Sequence, residues 1–402
     1  MKPGRALVIG GSLGGLFAGL FLRKIGWDTR IFERATDALA SRGAGIVTYP
    51  ELWRVITAAG LPRDHDKGVD VVGRITFDGA GGIVGSLDFP QTMTSWESLF
   101  TLLRGAWPDQ RYHLGRELVD LHEDAAGVTA IFADGSRATG DLLVAADGFR
   151  SAVRERYFEN AHPLYAGYVA WRALVPEADL PADAHKALFD HFAFCLPDDE
   201  QVIGYPVAGE GHDLRLGHRR YNLGWYRRAR EGDQLADLLT DSSGFTHSMS
   251  IPPPLIRPDV IAEMRARAEY SLAPALAAVI RAARMPFFQP IYELESPTMI
   301  KGRVALLGDA AYVARPHVGA GVVKAGLDAE ALATALATRP DLETGLMQYD
   351  AERAPAGRRM VARGRYLGAY MQGGWATEEE RRLAELRHTA PAVMAETGLL
   401  NF

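Results

Sequence analysis

Leu7-Val8-Ile9 is a short apolar run that breaks into Gly10-Gly11-Ser12-Leu13-Gly14-Gly15, and residues 13–25 are then apolar nearly all round. With the apolar residues 29–32 beyond, the pattern predicts strand, glycine turn, buried helix and strand, the helix covered by a sheet and by neighbours. From 72 to about 90 the texture changes to short alternating stretches punctuated by Gly79, Gly81, Gly82 and Gly85, which predicts hairpin strands, and 98–107 turns helical. Strands are predicted again at 127–132 and 141–145, with Asp134-Gly135 as the turn between them. After Tyr165 come four strand-like runs, 168–174, 191–196, 201–207 and 220–226, expected to form a mostly antiparallel sheet. Strand, glycine turn and helix return after Ile300, and the tail from Leu346 is mostly helical and rich in arginine.

The first turn carries chemistry. Glycines at Gly10, Gly11, Gly14 and Gly15 let backbone N–H groups of the turn, with Ser12 and Leu13, approach a pyrophosphate at the positive end of the helix dipole. Glu33, ending the next strand, can accept from a ribose hydroxyl, with Arg34 beside it. Ser12 stands where a dinucleotide fingerprint has its middle glycine, so Gly10-x-Ser12-x-Gly14 also fits the elbow that exposes a serine nucleophile in hydrolases; its place on the first strand and the acid that follows favour the dinucleotide. A second glycine loop, Arg42-Gly43-Ala44-Gly45-Ile46, can lie along the same ligand.

Composition narrows the classes. The 402 residues, 48% hydrophobic and 23% charged with a net charge of −6, fit a globular protein of two or three domains with no electrostatic drive toward nucleic acid or anionic membranes. The arginine- and aromatic-rich run 218–230 is read as a solvated strand face, and no nucleic-acid partner is expected. Residues 6–22 are glycine-rich and too short for a bilayer, so no membrane segment is expected, and the single cysteine, Cys195, points to a reducing cytoplasm. The histidines lack metal-ligand spacing, so no metal is expected.

Two further sites complete the picture. Asp141 to Ala145 runs into Asp147-Gly148, with Arg154 following; Arg303 to Leu307 runs into Gly308-Asp309, then Pro316-His317-Val318-Gly319-Ala320-Gly321 before a long helix. With the first turn, these motifs resemble the single-component FAD-dependent aromatic hydroxylases built on the p-hydroxybenzoate hydroxylase fold, over nearly the whole chain. The resemblance implies an α/β chain: a Rossmann-like FAD-binding domain (1–72, 97–164 and 285–345) interrupted by a mostly antiparallel substrate-binding sheet domain (73–96 and 165–284), with a helical C-terminal segment (346–402). It implies FAD held by Gly10 to Gly15, Glu33, Arg34, Gly45, Ile46, Asp147, Gly148, Arg154, Gly308, Asp309, Pro316 and Gly319 to Gly321. The family places an arginine near Trp96 toward the cofactor, and Arg104 is the substitute expected here.

Implied chemistry is reduction of FAD by NADH or NADPH, reaction with O2 to a flavin hydroperoxide, and hydroxylation of a hydroxylated aromatic or N-heteroaromatic ring, dihydroxypyridine-like. Epoxidation and Baeyer-Villiger oxidation are the alternatives. Candidates beside the ring are His191, Tyr205 and Tyr226 on the sheet and Pro316 and His317 on the flavin side, with Tyr205 and His317 favoured. By alternation His191 shares a face with Ala193 and Cys195, and Tyr205 with Ile203 and Val207. Arg172 is expected to make a domain-interface salt bridge, and a homodimer is the expected assembly.

Overall fold

The computed structural model describes every residue except 1, 38, 40–44, 63–67, 373–374, 376 and 400–402. A six-stranded sheet runs Ile300–Lys301, Val304–Leu306, Leu142–Ala145, Arg5–Ile9, Asp28–Phe32, Tyr112–His113, parallel except at its first pair. Its central strands are buried on both faces, which is why their sequences read as unbroken apolar runs rather than alternating ones. The helix Leu13–Lys24 packs against Gly321–Thr338, and Leu342–Leu367 packs on the outside of the latter.

A nine-stranded sheet runs Tyr312–Val313, Phe287–Glu295, Leu164–Pro176, Arg220–Arg228, Gln201–Val207, His191–Cys195, Val69–Phe77, Ile83–Ser95, Gly45–Val47. Its pairs are antiparallel except His191–Cys195 with Val69–Phe77, which are parallel. The strands alternate between two cores. One face, with Ala193, Cys195, Val202, Trp225 and Trp171, packs with Met264 and Leu276 of the helices Pro258–Ser271 and Pro274–Ala282; the other, with Phe192, Ile203, Tyr205, Tyr226 and Tyr168, joins the core of the six-stranded sheet.

Two expectations need correcting. Asp134-Gly135 closes Gly127–Phe132 onto Arg137–Gly140 in a separate three-stranded sheet, not onto Leu142–Ala145, which lies parallel beside Arg5–Ile9. Phe287–Glu295, expected in the nucleotide half, pairs along Leu164–Pro176, because long-range pairing is not marked by local composition. Among the described residues no helix is long and apolar enough to cross a membrane, and no cluster of histidine, cysteine and carboxylates could hold a metal ion.

Candidate active site

Parallel strand ends and the turns after them line a cleft. Gly10, Glu33, Arg34 and Asp147 border it throughout, with Ile9, Phe32, Arg116 and Arg150 at one end and Ser12, Leu39, Trp96 and Gly148 at the other. Glu33, 7% exposed, accepts from the N–H of Gly11 at 2.8 Å and of Ala35 at 2.9 Å, so the carboxylate is oriented before any ligand arrives. Gly10 has φ +99°, and a Cβ there would stand 2.3 Å from the Ala146 carbonyl oxygen. Leu13, Gly14 and Gly15 do not open onto the cleft: Leu13 is buried, Gly14 faces Leu307 and Ala325, and Gly15 sits under the Gly10 carbonyl. Ser12 is the N-cap residue of Leu13–Lys24, in ordinary extended conformation (φ −75°, ψ −171°), and its hydroxyl caps nothing. That geometry is not a strained elbow and among the described residues no histidine lines this part of the cleft, so among them the serine-hydrolase reading finds no partner for its nucleophile.

Arg154 works through the backbone. Its guanidinium donates to the carbonyls of Ala161 at 3.2 Å, Ala310 at 3.1 Å and Phe149 at 2.7 Å, tying the Asp147-Gly148 turn to the Gly308–Ala310 turn. Asp147 accepts from Val153 N–H at 3.3 Å through Oδ2, while its Oδ1 is buried without a partner, and burial raises its pKa. Arg104 is not brought to the cleft lining: it pairs with Asp109 at 2.7 Å, donates to the Trp107 carbonyl and lies 4.4 Å over the Tyr112 ring. Trp96 itself borders the cleft.

A separate cavity of about 270 Å³ lies where the nine-stranded sheet meets the segment from Asp309 to Lys324. Its flavin-side wall is Asp309, Pro316, His317, Gly319, Ala320 and Gly321; its sheet wall is Arg172, Phe192, Ile203, Tyr205 and Tyr226; Gly45 and Ile46 cover a third side. Arg42, Gly43 and Ala44 of that loop lie outside the described residues. Pro316 opens a short turn that ends at Gly319 with φ +67°, where a Cβ would stand 2.6 Å from the Tyr49 hydroxyl. Beyond it Gly321–Thr338 begins with no side-chain cap and no acid in its first turn, leaving its first N–H groups without a side-chain partner among the described residues. Gly308 has φ +64° and donates to Asp328 at 3.1 Å, which turns Asp309 outward. The Asp309 side chain is 51% exposed, and the buried Lys324 ammonium lies 3.7 Å from it.

His317 is 2% exposed; its Nε2 lies 2.8 Å from the Tyr168 hydroxyl and its Nδ1 is buried without a partner. Burial, with Arg315 and Arg172 nearby, pushes its pKa down to about 3, so the imidazole is neutral through physiological pH. Burial also pushes Tyr168 and Tyr205 above the usual phenol range, so both remain protonated. Because unfolding restores His317 to its ordinary value of 6.5, the folded chain loses stability as pH falls from there toward about 3, by about 1.4 kcal/mol per pH unit. His317→Gln removes that slope. In urea unfolding the stability gap between wild type and variant is expected to narrow from about pH 7 to about pH 5; a constant gap would show that His317 is not held neutral.

His191 is not at this site. It shares its face with Ala193 and Cys195, which pack in the helix-covered core, whereas the cavity takes Phe192 from the opposite face. Arg172, expected in a salt bridge, forms none among the described residues and lines the cavity instead. Sequence reasoning also missed Tyr168, Lys324 and the C-terminal Thr397-Gly398, which closes the cavity through Gly398 N–H to the His317 carbonyl at 2.8 Å and Arg74 to the Thr397 carbonyl at 2.8 Å. Alternation along Leu164–Pro176 places Tyr168 and Arg172 on one face and was a usable signal; Thr397-Gly398 has no local one.

These features fit FAD. Asp147 Oδ1 is an orphan acceptor in the cleft, the Asp309 carboxylate faces the cavity without a hydrogen bond among the described residues, Ser12 is uncommitted, and two helices present uncapped N-termini.

Comparison with known proteins agrees. A family model described as FAD binding domain matches residues 5–163 and 294–364, and one described as FAD binding domain-like matches 165–293. The chain is 31% identical over 378 residues, 93% of each protein, to 2,6-dihydroxypyridine 3-monooxygenase of Paenarthrobacter nicotinovorans. It is 27% identical over 372 residues, 87% of this chain and 85% of the relative, to 6-hydroxynicotinate 3-monooxygenase of Bordetella bronchiseptica. The solved 2,6-dihydroxypyridine-3-hydroxylase from Arthrobacter nicotinovorans superposes with a TM-score of 0.86 at 31% identity, covering 94% of this chain and 95% of that one. With the cleft, the cavity and these matches in agreement, the chain belongs to the FAD-binding family of aromatic hydroxylases and is an FAD-dependent monooxygenase that uses NAD(P)H and O2.

Proposed function

We propose that this monooxygenase hydroxylates a small hydroxylated N-heteroaromatic ring, dihydroxypyridine-like, in the cavity between His317 and Tyr205. The observation that carries the reading is the cavity itself: about 270 Å³, walled by Phe192, Tyr205, Tyr226 and His317 and continuous with the uncapped start of Gly321–Thr338. Aromatic walls on the sheet side keep water away from the reacting face.

FAD, when bound, supplies the oxygen-activating chemistry. Glu33 takes a ribose hydroxyl, Gly10 and Ser12, at the positive end of the Leu13–Lys24 dipole, take the pyrophosphate, and Asp309 holds the sugar-alcohol chain. Gly45, Ile46, Pro316 and Gly319 to Gly321 border the ring system, where the first N–H groups of Gly321–Thr338 and the Lys324 ammonium favour negative charge. Arg154 acts as a positioning residue. His317, neutral and locked to Tyr168, orients the substrate through Nδ1, and the Tyr205 hydroxyl, with no partner among the described residues, offers a second hydrogen bond.

Strand membership supports two units: an FAD-binding unit on the six-stranded sheet and a substrate unit on the nine-stranded one, with Phe287–Glu295 moved to the second. The arginines of 218–230 are committed to carboxylates, Arg219 to Glu177 at 2.7 Å, Arg227 to Glu263 at 3.0 Å and Arg228 to Asp199 at 3.3 Å, which disfavours a nucleic-acid surface. A cytoplasmic homodimer completes the proposal. Its test is NADH and NADPH oxidation by FAD-loaded protein under air: 2,6-dihydroxypyridine should stimulate consumption at least tenfold with matching product. Stimulation by a different ring would move the substrate, and none by any hydroxylated ring would refute the reading.

A further inference from the structure

We propose that Arg172 binds the substrate as an oxyanion, and that the ring it fits carries its ionised hydroxyl on the carbon next to a ring nitrogen. The proposal deepens the function above and rests on it.

Arg172 lies on the cavity face of Leu164–Pro176, in line with Tyr168, while Trp171 and Ala173 turn to the other core. Neighbouring arginines are spoken for. Arg315 pairs with Glu293 at 2.9 Å and with Gln372 at 2.9 Å, and Arg74 donates to the carbonyls of Met394 and Thr397 and to Gln91. Among the described residues the Arg172 guanidinium has no hydrogen bond and no carboxylate, its Nε is buried and unpartnered, and it lies against Gly224 and 5.6 Å from the centre of the Tyr226 ring. A half-buried cation in an aromatic cavity is costly unless an anion completes it, and the open space beside it is the substrate's.

Ring chemistry points the same way. Electrophilic hydroxylation needs electron density that a neutral hydroxyl lends poorly and an oxyanion lends well. The titratable groups facing Arg172 are Tyr205, Tyr226 and His317, with the paired Arg315 and Glu293 behind His317 and Asp309 and Lys324 at the far end. His317 is held down to about 3, and burial raises Tyr205, so neither can take a proton near neutral pH. The negative charge therefore arrives with the ring, its proton left in solvent. An ionised hydroxyl beside a ring nitrogen spreads charge over an oxygen and a nitrogen on one carbon, the geometry of a carboxylate, which a guanidinium fork meets with two parallel hydrogen bonds.

Arg172→Met and Arg172→Lys test this in the FAD-loaded enzyme, with flavin absorbance titrated by 2,6-dihydroxypyridine and by its dimethyl ether across the ionisation of the ring. Wild type should bind the hydroxylated ring more tightly as it ionises and prefer it to the ether. Arg172→Met should weaken binding and raise KM about 10- to 100-fold with a smaller change in kcat, and lose both the preference and the pH dependence. Arg172→Lys should restore part of each. Unchanged affinity of Arg172→Met for the ionised ring would overturn the proposal and leave the hydroxylase reading standing, as would a wild type that binds the ether equally well. A wild type that turns over no hydroxylated ring would overturn that reading and the proposal with it. If Arg172→Met fails to hold FAD, Arg172→Lys and the wild-type preference decide.

Discussion

Gly10→Ala is expected to cost the protein its FAD. At φ +99° an L side chain is strained whatever the space, and here the added Cβ would stand 2.3 Å from the Ala146 carbonyl oxygen and 2.8 Å from Asp147 Cα, both backbone. Relief requires moving the end of Leu142–Ala145 away from Arg5–Ile9, which displaces Asp147 and the glycine turn together. We expect a loss of about 2–4 kcal/mol in folding stability and at least a hundredfold weaker FAD binding, read by urea unfolding and flavin titration. Gly14→Ala is the control: its Cβ would meet the end of the Leu307 side chain at 3.3 Å, which can give by a few tenths of an ångström, so FAD should be retained. Equal retention by both variants would show that the Gly10 turn does not shape the cleft.

Arg154→Met is expected to be the most destabilising single side-chain change in the cleft. It would orphan three carbonyls, of Phe149, Ala161 and Ala310, that the guanidinium satisfies from a 3% exposed position. Each unsatisfied buried acceptor costs about 1–3 kcal/mol, and partial relaxation brings the expected total to about 3–5 kcal/mol. Because Arg154 also joins the turn after Asp147 to the Gly308–Ala310 turn, FAD affinity should fall with stability. Arg154→Lys, with one ammonium for three acceptors, should fall between. A melting temperature for Arg154→Met within a few degrees of wild type would mean that the two turns are held by something else.

What the sequence made legible was local backbone chemistry. Gly10, Glu33, Asp147 and Asp309 could be placed because a glycine turn or an acid at a strand end has a steric and electrostatic purpose visible within a few residues. Distant pairing left less trace. Alternation tells which residues of His191–Cys195 share a face, but only the packing of Pro258–Ser271 and Pro274–Ala282 decides which face meets the cavity, so His191 was misplaced and Phe192 overlooked. Arg104 looked available until Asp109 and Tyr112 claimed it, and Arg172 looked paired until the fold left it without a carboxylate among the described residues. Thr397 is held at the cavity by residues far away in sequence: the buried Arg74, more than three hundred positions earlier, donates to its carbonyl at 2.8 Å, and the next N–H, of Gly398, donates to the His317 carbonyl.

The central claim is that a ring held between His317 and Tyr205 receives one oxygen atom from O2 at the expense of NAD(P)H. The direct measurement is turnover of 2,6-dihydroxypyridine by the FAD-loaded protein under isotopically labelled O2, with the product analysed by mass and by the position of its new hydroxyl. One labelled oxygen per product, on a ring carbon, and one coenzyme consumed per labelled product is the expected result. Coenzyme consumed with only hydrogen peroxide formed, or a product whose new oxygen comes from water, would contradict it.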